Sequence, residues 1–316
     1  MSGKSHSEYL CFTPVVFIIF NRPEETMRTF TEIRKVKPRQ LFIISDGPRK
    51  NVAGEFEKVE ECRNILNTID WDCYITRIYS DINLGCMRRI VSGLNEVFRI
   101  VDKAIILEDD CVPTLDFFRF MEWGLVEFEN DLSIGMISGS NLISNKYKIN
   151  SRNGYSSLIN IWGWATWRYV WEKHDPFLSV SDIKNKMSDI SKYMSFNWWQ
   201  FIYWKELFKY TVYASNTWDF QLQFSFFRLR LLSVYPALNL IHNIGFTGNG
   251  THTNVKEPLY IKETLPSDSQ IILEMNTDLS KKVDQSRDIL LAQEIWHFNM
   301  LTAFRLKIMN IIRFNF

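Results

Sequence analysis

Three adjacent carboxylates, Glu108-Asp109-Asp110, follow the apolar run Ala104-Ile105-Ile106-Leu107 and precede Cys111-Val112-Pro113. At the end of a buried strand such a triplet is costly, because the charges repel one another and a bare buried carboxylate is strongly penalised. A divalent cation with oxygen ligands would remove that cost. A cation held there could in turn grip a diphosphate. The triplet therefore raises the expectation of an enzyme that binds a nucleotide-activated substrate through a metal bridge.

The elements that must position these acids are legible as apolar runs and helical periodicities. Residues 15–20, 41–44, 73–79 and 103–107 read as strands, and 24–36, 55–69, 86–101 and 115–128 as helices between and after them. Residues 133–138 read as a further strand. Continuous apolar strands separated by helices imply an α/β fold, with a mostly parallel sheet covered on both faces. Asn21-Arg22, Asp46-Gly47 and the acidic triplet each lie just past the C-terminal end of one of these strands, the edge where open α/β sheets bind ligands. One polar strand end would be read as ordinary solvation. Three, with carboxylates and an arginine, favour a site. Beyond residue 138 the alternation breaks. Ile161-Trp162-Gly163-Trp164-Ala165-Thr166-Trp167-Arg168 is aromatic and glycine-punctuated, and 181–212 reads as helical.

Five clusters occur in a fixed order: Phe20-Asn21-Arg22-Pro23, Ser45-Asp46-Gly47-Pro48, Asn83-Leu84-Gly85, Leu107-Glu108-Asp109-Asp110 and Trp218-Asp219. In order and spacing they resemble the GT-A glycosyltransferases, whose sheet is Rossmann-like. The Glu-Asp-Asp form with Pro113 and Asp116-Phe117-Phe118 is similar to N-acetylglucosaminyltransferase I and to bacterial sugar transferases of surface-polysaccharide synthesis. The resemblance covers about residues 14–253, most of the chain.

The resemblance implies a metal-dependent, inverting transferase. It would move a sugar from a nucleotide-diphosphate donor, expected to be a UDP-sugar, to a hydroxyl of a saccharide or lipid-linked acceptor. It implies Asp110 as ligand to Mn²⁺ or Mg²⁺, Glu108 and Asp109 as contacts to donor hydroxyls, and Asp46 as reader of the uracil edge. Asn21 joins the donor-binding set. Arg22 is expected at the base or a phosphate, with a salt bridge to Glu24 or Glu25 as the alternative. Arg88 or Arg89 could meet the diphosphate at a helix N-terminus, with Arg88 the candidate named; solvated arginines are the alternative. Trp162, Gly163 and Trp164 match a loop against the donor sugar, and core packing is the alternative for at least one tryptophan. Asp219 is expected to be the general base, or else the cap of a helix over 220–231. His252, in the glycine-rich stretch 243–253, is a candidate second metal ligand, with His242 as competitor.

Composition narrows the classes. The formal charge is +1 and the chain is 46% hydrophobic, which supports a sizeable core and no nucleic-acid partner. Five scattered cysteines without a CxxC pair, and no apolar signal core before Tyr9, read as reduced thiols in a cytoplasmic protein. The expected organisation is a catalytic domain over 1–255 and a helical extension over 256–316. The C-terminus, Ala303-Phe304-Arg305-Leu306-Lys307-Ile308-Met309-Asn310-Ile311-Ile312-Arg313-Phe314, mixes apolar and basic residues without an acid. It reads either as a packing helix or as a peripheral contact with the inner face of the plasma membrane. A nucleotidyltransferase shares the acids and the metal but usually carries a glycine-rich loop after the first strand, where this chain has Asn21-Arg22-Pro23. A non-catalytic sugar-binding relative is the remaining alternative.

Overall fold

Every residue of β1 (Val15–Ile19) is buried, as expected of a strand covered on both faces. A computed structural model describes residues 9–143, 153–214, 217–246 and 282–314. After β1, Pro23 opens α1 (Pro23–Val36), where its missing N–H costs nothing. Glu24 and Glu25 in the first turn and Arg34 and Lys35 in the last complement the helix dipole. Thr26, Thr29, Phe30, Ile33 and Val36 form the buried stripe. The alternation continues through β2 (Gln40–Ser45), α2 (Glu55–Ile65), β3 (Tyr74–Tyr79), α3 (Cys86–Ile100) and β4 (Lys103–Glu108).

These four strands pair in parallel in the order β3-β2-β1-β4. The chain steps outward from β1 to β3, then returns to the other side of β1 for β4. That reversal is a topological switch point, and it leaves a crevice at the C-terminal ends of β1 and β4. Asn21-Arg22 and the acidic triplet are the residues that follow those ends.

The rest of the chain widens the sheet. A short β5 (Cys111–Pro113) leads to α4 (Leu115–Glu127), capped by Thr114. There follow β6 (Ile134–Ser138), β7 (Gly154–Ser156) and β8 (Trp164–Trp167). β8 inserts antiparallel between β4 and β6, so Trp164 lies opposite Ile106. The segment expected to be an aromatic loop is thus partly a central strand. Next come α5 (Arg168–Trp171), α6 (Val180–Met194), α7 (Trp198–Ala214), α8 (Asp219–Leu229), β9 (Leu232–Tyr235) and β10 (Ile241–Asn243). β9 joins the sheet edge between β6 and β7, while β10 pairs antiparallel with β5. The stretch 181–212 that reads as helical is divided between two helices, α6 and α7. Ser195 takes a left-handed conformation (φ 54°) and ends α6, and Asn197 and Gln200 cap the start of α7 reciprocally (2.9 and 3.1 Å).

Two hydrophobic cores result. One lies around the sheet. The other gathers Tyr203, Trp204 and Phe208 of α7 with Leu291 of α9 (Gln285–Trp296) and with Ala303 and Leu306 of α10 (Met300–Phe314). The C-terminal helices therefore share a core with α6–α8; the expected boundary at 255/256 lies outside the described residues. α8 joins the cores, with Leu222 and Phe226 in the first and Phe224 and Phe227 in the second.

Candidate functional site

The acidic triplet emerges where β4 ends, and Arg22 reaches it from the end of β1. One guanidinium nitrogen donates to Asp110 Oδ2 at 2.8 Å, and the other pairs with Asp109 Oδ1. The alternative considered for Arg22, a salt bridge to Glu24 or Glu25, gives way to this one, because the ends of β1 and β4 lie side by side. Burial opposes the charge on Arg22, but Asp109 and Asp110 outweigh it and hold its pKa above the usual range. Asp109 is buried, and its second carboxylate oxygen has no partner. Burial pushes Asp109 up to about 6, with Arg22 pulling the other way. Burial pushes Glu108 further, to about 8, reinforced by Asp110 and Asp109. One guanidinium does not compensate three acids.

The backbone around Asp110 is fixed from β10. Ile244 N donates to the Asp110 carbonyl at 2.8 Å. A Cβ on Gly245 would fall 2.2 Å from Asp110 Oδ2, so a side chain there would require the carboxylate to shift. The glycine of the Asn243-Ile244-Gly245 segment is therefore explained by packing against the acid.

A cavity of about 180 Å³ opens beside the triplet. Its wall includes Phe20, Asn21, Arg22, Asp46, Asn83, Arg89, Glu108 and Asp109. Asp46 is buried and already engaged. Its carboxylate accepts from Leu84 N (2.9 Å), Gly85 N (3.0 Å), Gly47 N (3.0 Å) and Asn83 Nδ2 (3.1 Å). It clamps the loop after β2 to the loop before α3, and thereby shapes the cavity floor. Asn21 donates to Glu55 (2.8 Å), which also pairs with Arg49. Glu55, buried at the start of α2, is a brace that sequence reasoning missed.

The two arginines of α3 separate sharply. Arg88 is exposed and Arg89 is buried. Arg89, not Arg88, lines the cavity. Two of its guanidinium nitrogens, Nε and Nη2, have no hydrogen-bond partner, and Glu96 stands 3.9 Å away. Burial draws its pKa down, with Glu96 and Asp46 opposing. Helix phase could have separated them: Arg89 shares the buried line of Gly93 and Val97, four and eight residues on.

Asp219 is the first residue of α8; Trp218, not Asp219, occupies the cap position. Its carboxylate accepts the Thr217 hydroxyl. Its charge raises the pKa of Glu108 and of the cavity residue Cys86, each secondarily to burial. Its effect on Glu108 ranks behind burial, Asp110, Asp109 and Arg22, and Asp219 does not itself line the cavity. Trp164, expected at the donor, is a core residue instead. It stacks on Trp218 at 5.7 Å and lies 6.3 Å from Trp171. β8 sits mid-sheet, so this side chain points into a covered face and supports the start of α8. Trp162 is half-buried and meets Phe246 edge to face at 5.9 Å. Gly163 has φ 61°, and its carbonyl accepts from Gly139 N at 2.8 Å. His252 lies outside the described residues. His242 sits in β10 opposite Val112.

Among the described residues no three His, Cys, Asp or Glu side chains group as a ready-made metal cage. The donor chemistry nonetheless suits a hard divalent cation: the oxygens are carboxylate, their charge is under-compensated, and Asp109 Oδ2 is an orphaned buried acceptor. Ions of the Mg²⁺ type commonly take only one or two carboxylates, with substrate phosphates completing the shell.

No family model matches the chain, and no curated protein does. Among solved structures, it is similar to a mannosyltransferase from Pyrobaculum calidifontis in complex with GDP-Man and Mn²⁺. Identity there is 13% over 71% of this chain and 72% of that one, with a TM-score of 0.38. It is also similar to a UDP-glucose pyrophosphorylase complexed with UDP-glucose, at 7% identity over 45% of this chain and 62% of that one, with a TM-score of 0.23.

Proposed function

We propose that the protein is a metal-dependent glycosyltransferase of the GT-A type. It transfers a sugar from a nucleotide-diphosphate donor, with UDP as the expected nucleotide, to a hydroxyl of a saccharide or lipid-linked acceptor. The observation that carries this reading is the cavity at the switch point, whose wall holds both Glu108 and Asp109 and the buried Arg89, a guanidinium with Nε lacking a hydrogen bond and Nη2 reaching only Glu96 at 3.9 Å. Such a wall suits a ligand that is anionic at one end and rich in hydroxyls at the other.

In this reading Arg89 and Arg22 offer N–H donors to the donor's anionic part, and Glu108 and Asp109 accept from its hydroxyls. Asp46 acts through the loops it clamps as well as at the cavity surface. A divalent cation held at Asp110 would neutralise charge building on the departing nucleoside diphosphate. Asp219 takes the proton of the acceptor hydroxyl as that oxygen bonds to the anomeric carbon and the bond to the diphosphate breaks. Inversion follows if Asp219 works from the face opposite the diphosphate. Trp162 and Gly163 border the donor sugar.

Asp219 also favours sugar transfer over nucleotidyl transfer. A phosphate nucleophile is already anionic and needs no base, whereas an attacking hydroxyl must lose a proton. The test is a thermal-shift panel of UDP-, GDP-, CMP- and dTDP-sugars with and without Mn²⁺. A manganese-dependent rise in Tm with one nucleotide class is expected. No shift with any donor would move the reading to a non-catalytic relative.

A further inference from the structure

The outer face of α10 is apolar. The helix docks on α7 through Ala303, Leu306 and Asn310, the last donating to Glu206 O and Oε2 at 2.9 Å each. The opposite side exposes Met300, Leu301, Phe304, Ile308, Ile311 and Ile312, at 42–61% of their full areas. At the rotation of an α-helix these six occupy an arc of about 120°. Arg305 borders the arc on one side and Lys307 on the other. No acid occurs from Met300 to the end of the sequence. An ordinary docked helix shows water a polar outer face; this one is apolar on both sides.

Neighbouring helices extend the same surface. Trp198, at the start of α7, is 58% exposed and meets Phe304 at 6.0 Å between ring centroids. Lys209 of α7, Lys184 of α6 and Lys307 of α10 each lie close enough to Lys205 of α7 to repel it, and of these Lys209 is paired with Glu206 at 2.9 Å. Burial lowers the Lys205 pKa first, and those three lysines add to the shift against the pull of Glu206.

We infer that this face of α7 and α10 is a docking surface for an anionic lipid bilayer, with the apolar arc entering the headgroup region and the lysines and arginine meeting lipid phosphates. Charge complementarity selects this occupant. A second copy packed here about a two-fold axis would set the same cations against each other, whereas an anionic surface supplies the missing countercharge. A tryptophan beside an apolar stripe with basic borders is the composition of helices that lie in a membrane interface. Among the described residues no helix is long and apolar enough to cross a membrane, so the contact is peripheral. The inference stands independently of the donor site: a protein that binds vesicles but no nucleotide sugar would retain it.

The test is co-flotation of the full chain with vesicles of phosphatidylcholine alone, or with about one-third phosphatidylglycerol. Binding is expected only to the anionic vesicles and should weaken as salt is raised. Phe304→Ser/Ile308→Ser/Ile311→Ser, whose parent side chains are exposed, should keep the parental circular dichroism and lose binding about tenfold or more. Lys205→Glu/Lys307→Glu should lose the preference for anionic lipid. No flotation of the parent, or undiminished flotation of the folded triple variant, would overturn the inference. So would light scattering that finds a dimer which the triple variant dissociates, because the occupant would then be a second copy.

Discussion

Arg22 is the internal cation of the acidic triplet, joined to both Asp109 and Asp110. Removing one partner of a mostly buried ion pair typically costs about 3–5 kcal/mol, because the other charge is left uncompensated. Arg22→Ala should therefore lower stability by roughly 3 kcal/mol in urea melts, and added Mn²⁺ should restore part of the loss. Equal stability of parent and variant would mean that the triplet is neutralised in another way. Asp219→Asn should bind donor like the parent yet turn over at least ~10²-fold more slowly; full activity would remove it as the base. His174 supplies a pH test away from the site. It packs 5.0 Å from Trp171, both ring nitrogens are buried without a partner, and burial holds its pKa at about 3. Above pH ~6.5 it is neutral in both the folded and unfolded chain. Below that, the unfolded chain binds a proton that the folded chain refuses, so its contribution falls by about 1.4 kcal/mol per pH unit as pH drops toward 3. His174→Phe should flatten the stability profile in that window, and an unchanged slope would contradict the assignment. At this scale the acidic triplet and Arg22 were conspicuous in the sequence as charge after an apolar run, whereas Asp219 was named only from the resemblance. The choice of Arg89 over Arg88 was open to helix phase, since Arg89 shares a line with Gly93 and Val97, but the partner of Arg22 was not legible, because it depends on which strands become neighbours.

The elements that carry the site differ in how openly the sequence declares them. β1, β2 and β4 are uninterrupted apolar runs, and their helices have clear stripes, so the switch point could be anticipated. β8 could not. Trp164-Ala165-Thr166-Trp167 is short, and its pairing with β4 and β6 comes from residues far along the chain. Its place decides that Trp164 braces Trp218 rather than facing a ligand. The break at Ser195 is hidden for a related reason: the aromatic pattern runs on across it, and only a left-handed residue marks the end of α6. Gly163 tests the junction before β8. A Cβ there would meet Ile241 Cδ1 at 2.4 Å with φ at 61°. Gly163→Ala should cost about 2 kcal/mol and raise KM for the donor by moving Trp162. A variant with parental Tm and KM would show that the turn tolerates a side chain.

The whole molecule is organised about α8, which anchors one side in the sheet core and the other in the aromatic core of α6, α7, α9 and α10. Asp219 at its first turn is thereby fixed relative to strands that lie far away in sequence. The same aromatic core holds α10 with its apolar side outward, so the acids of the proposed donor site and the proposed bilayer face belong to one packed framework. Composition foretold a sizeable core. It did not foretell two cores, because residues 181–212 carry aromatics on nearly every side. The central claim is that the triplet holds a metal and through it a nucleoside diphosphate. Calorimetric titration of UDP into parent and Asp110→Ala, with and without Mn²⁺, tests it most directly. The account predicts manganese-dependent binding in the parent that disappears in the variant. Manganese-dependent affinity that survives unchanged in Asp110→Ala would contradict it.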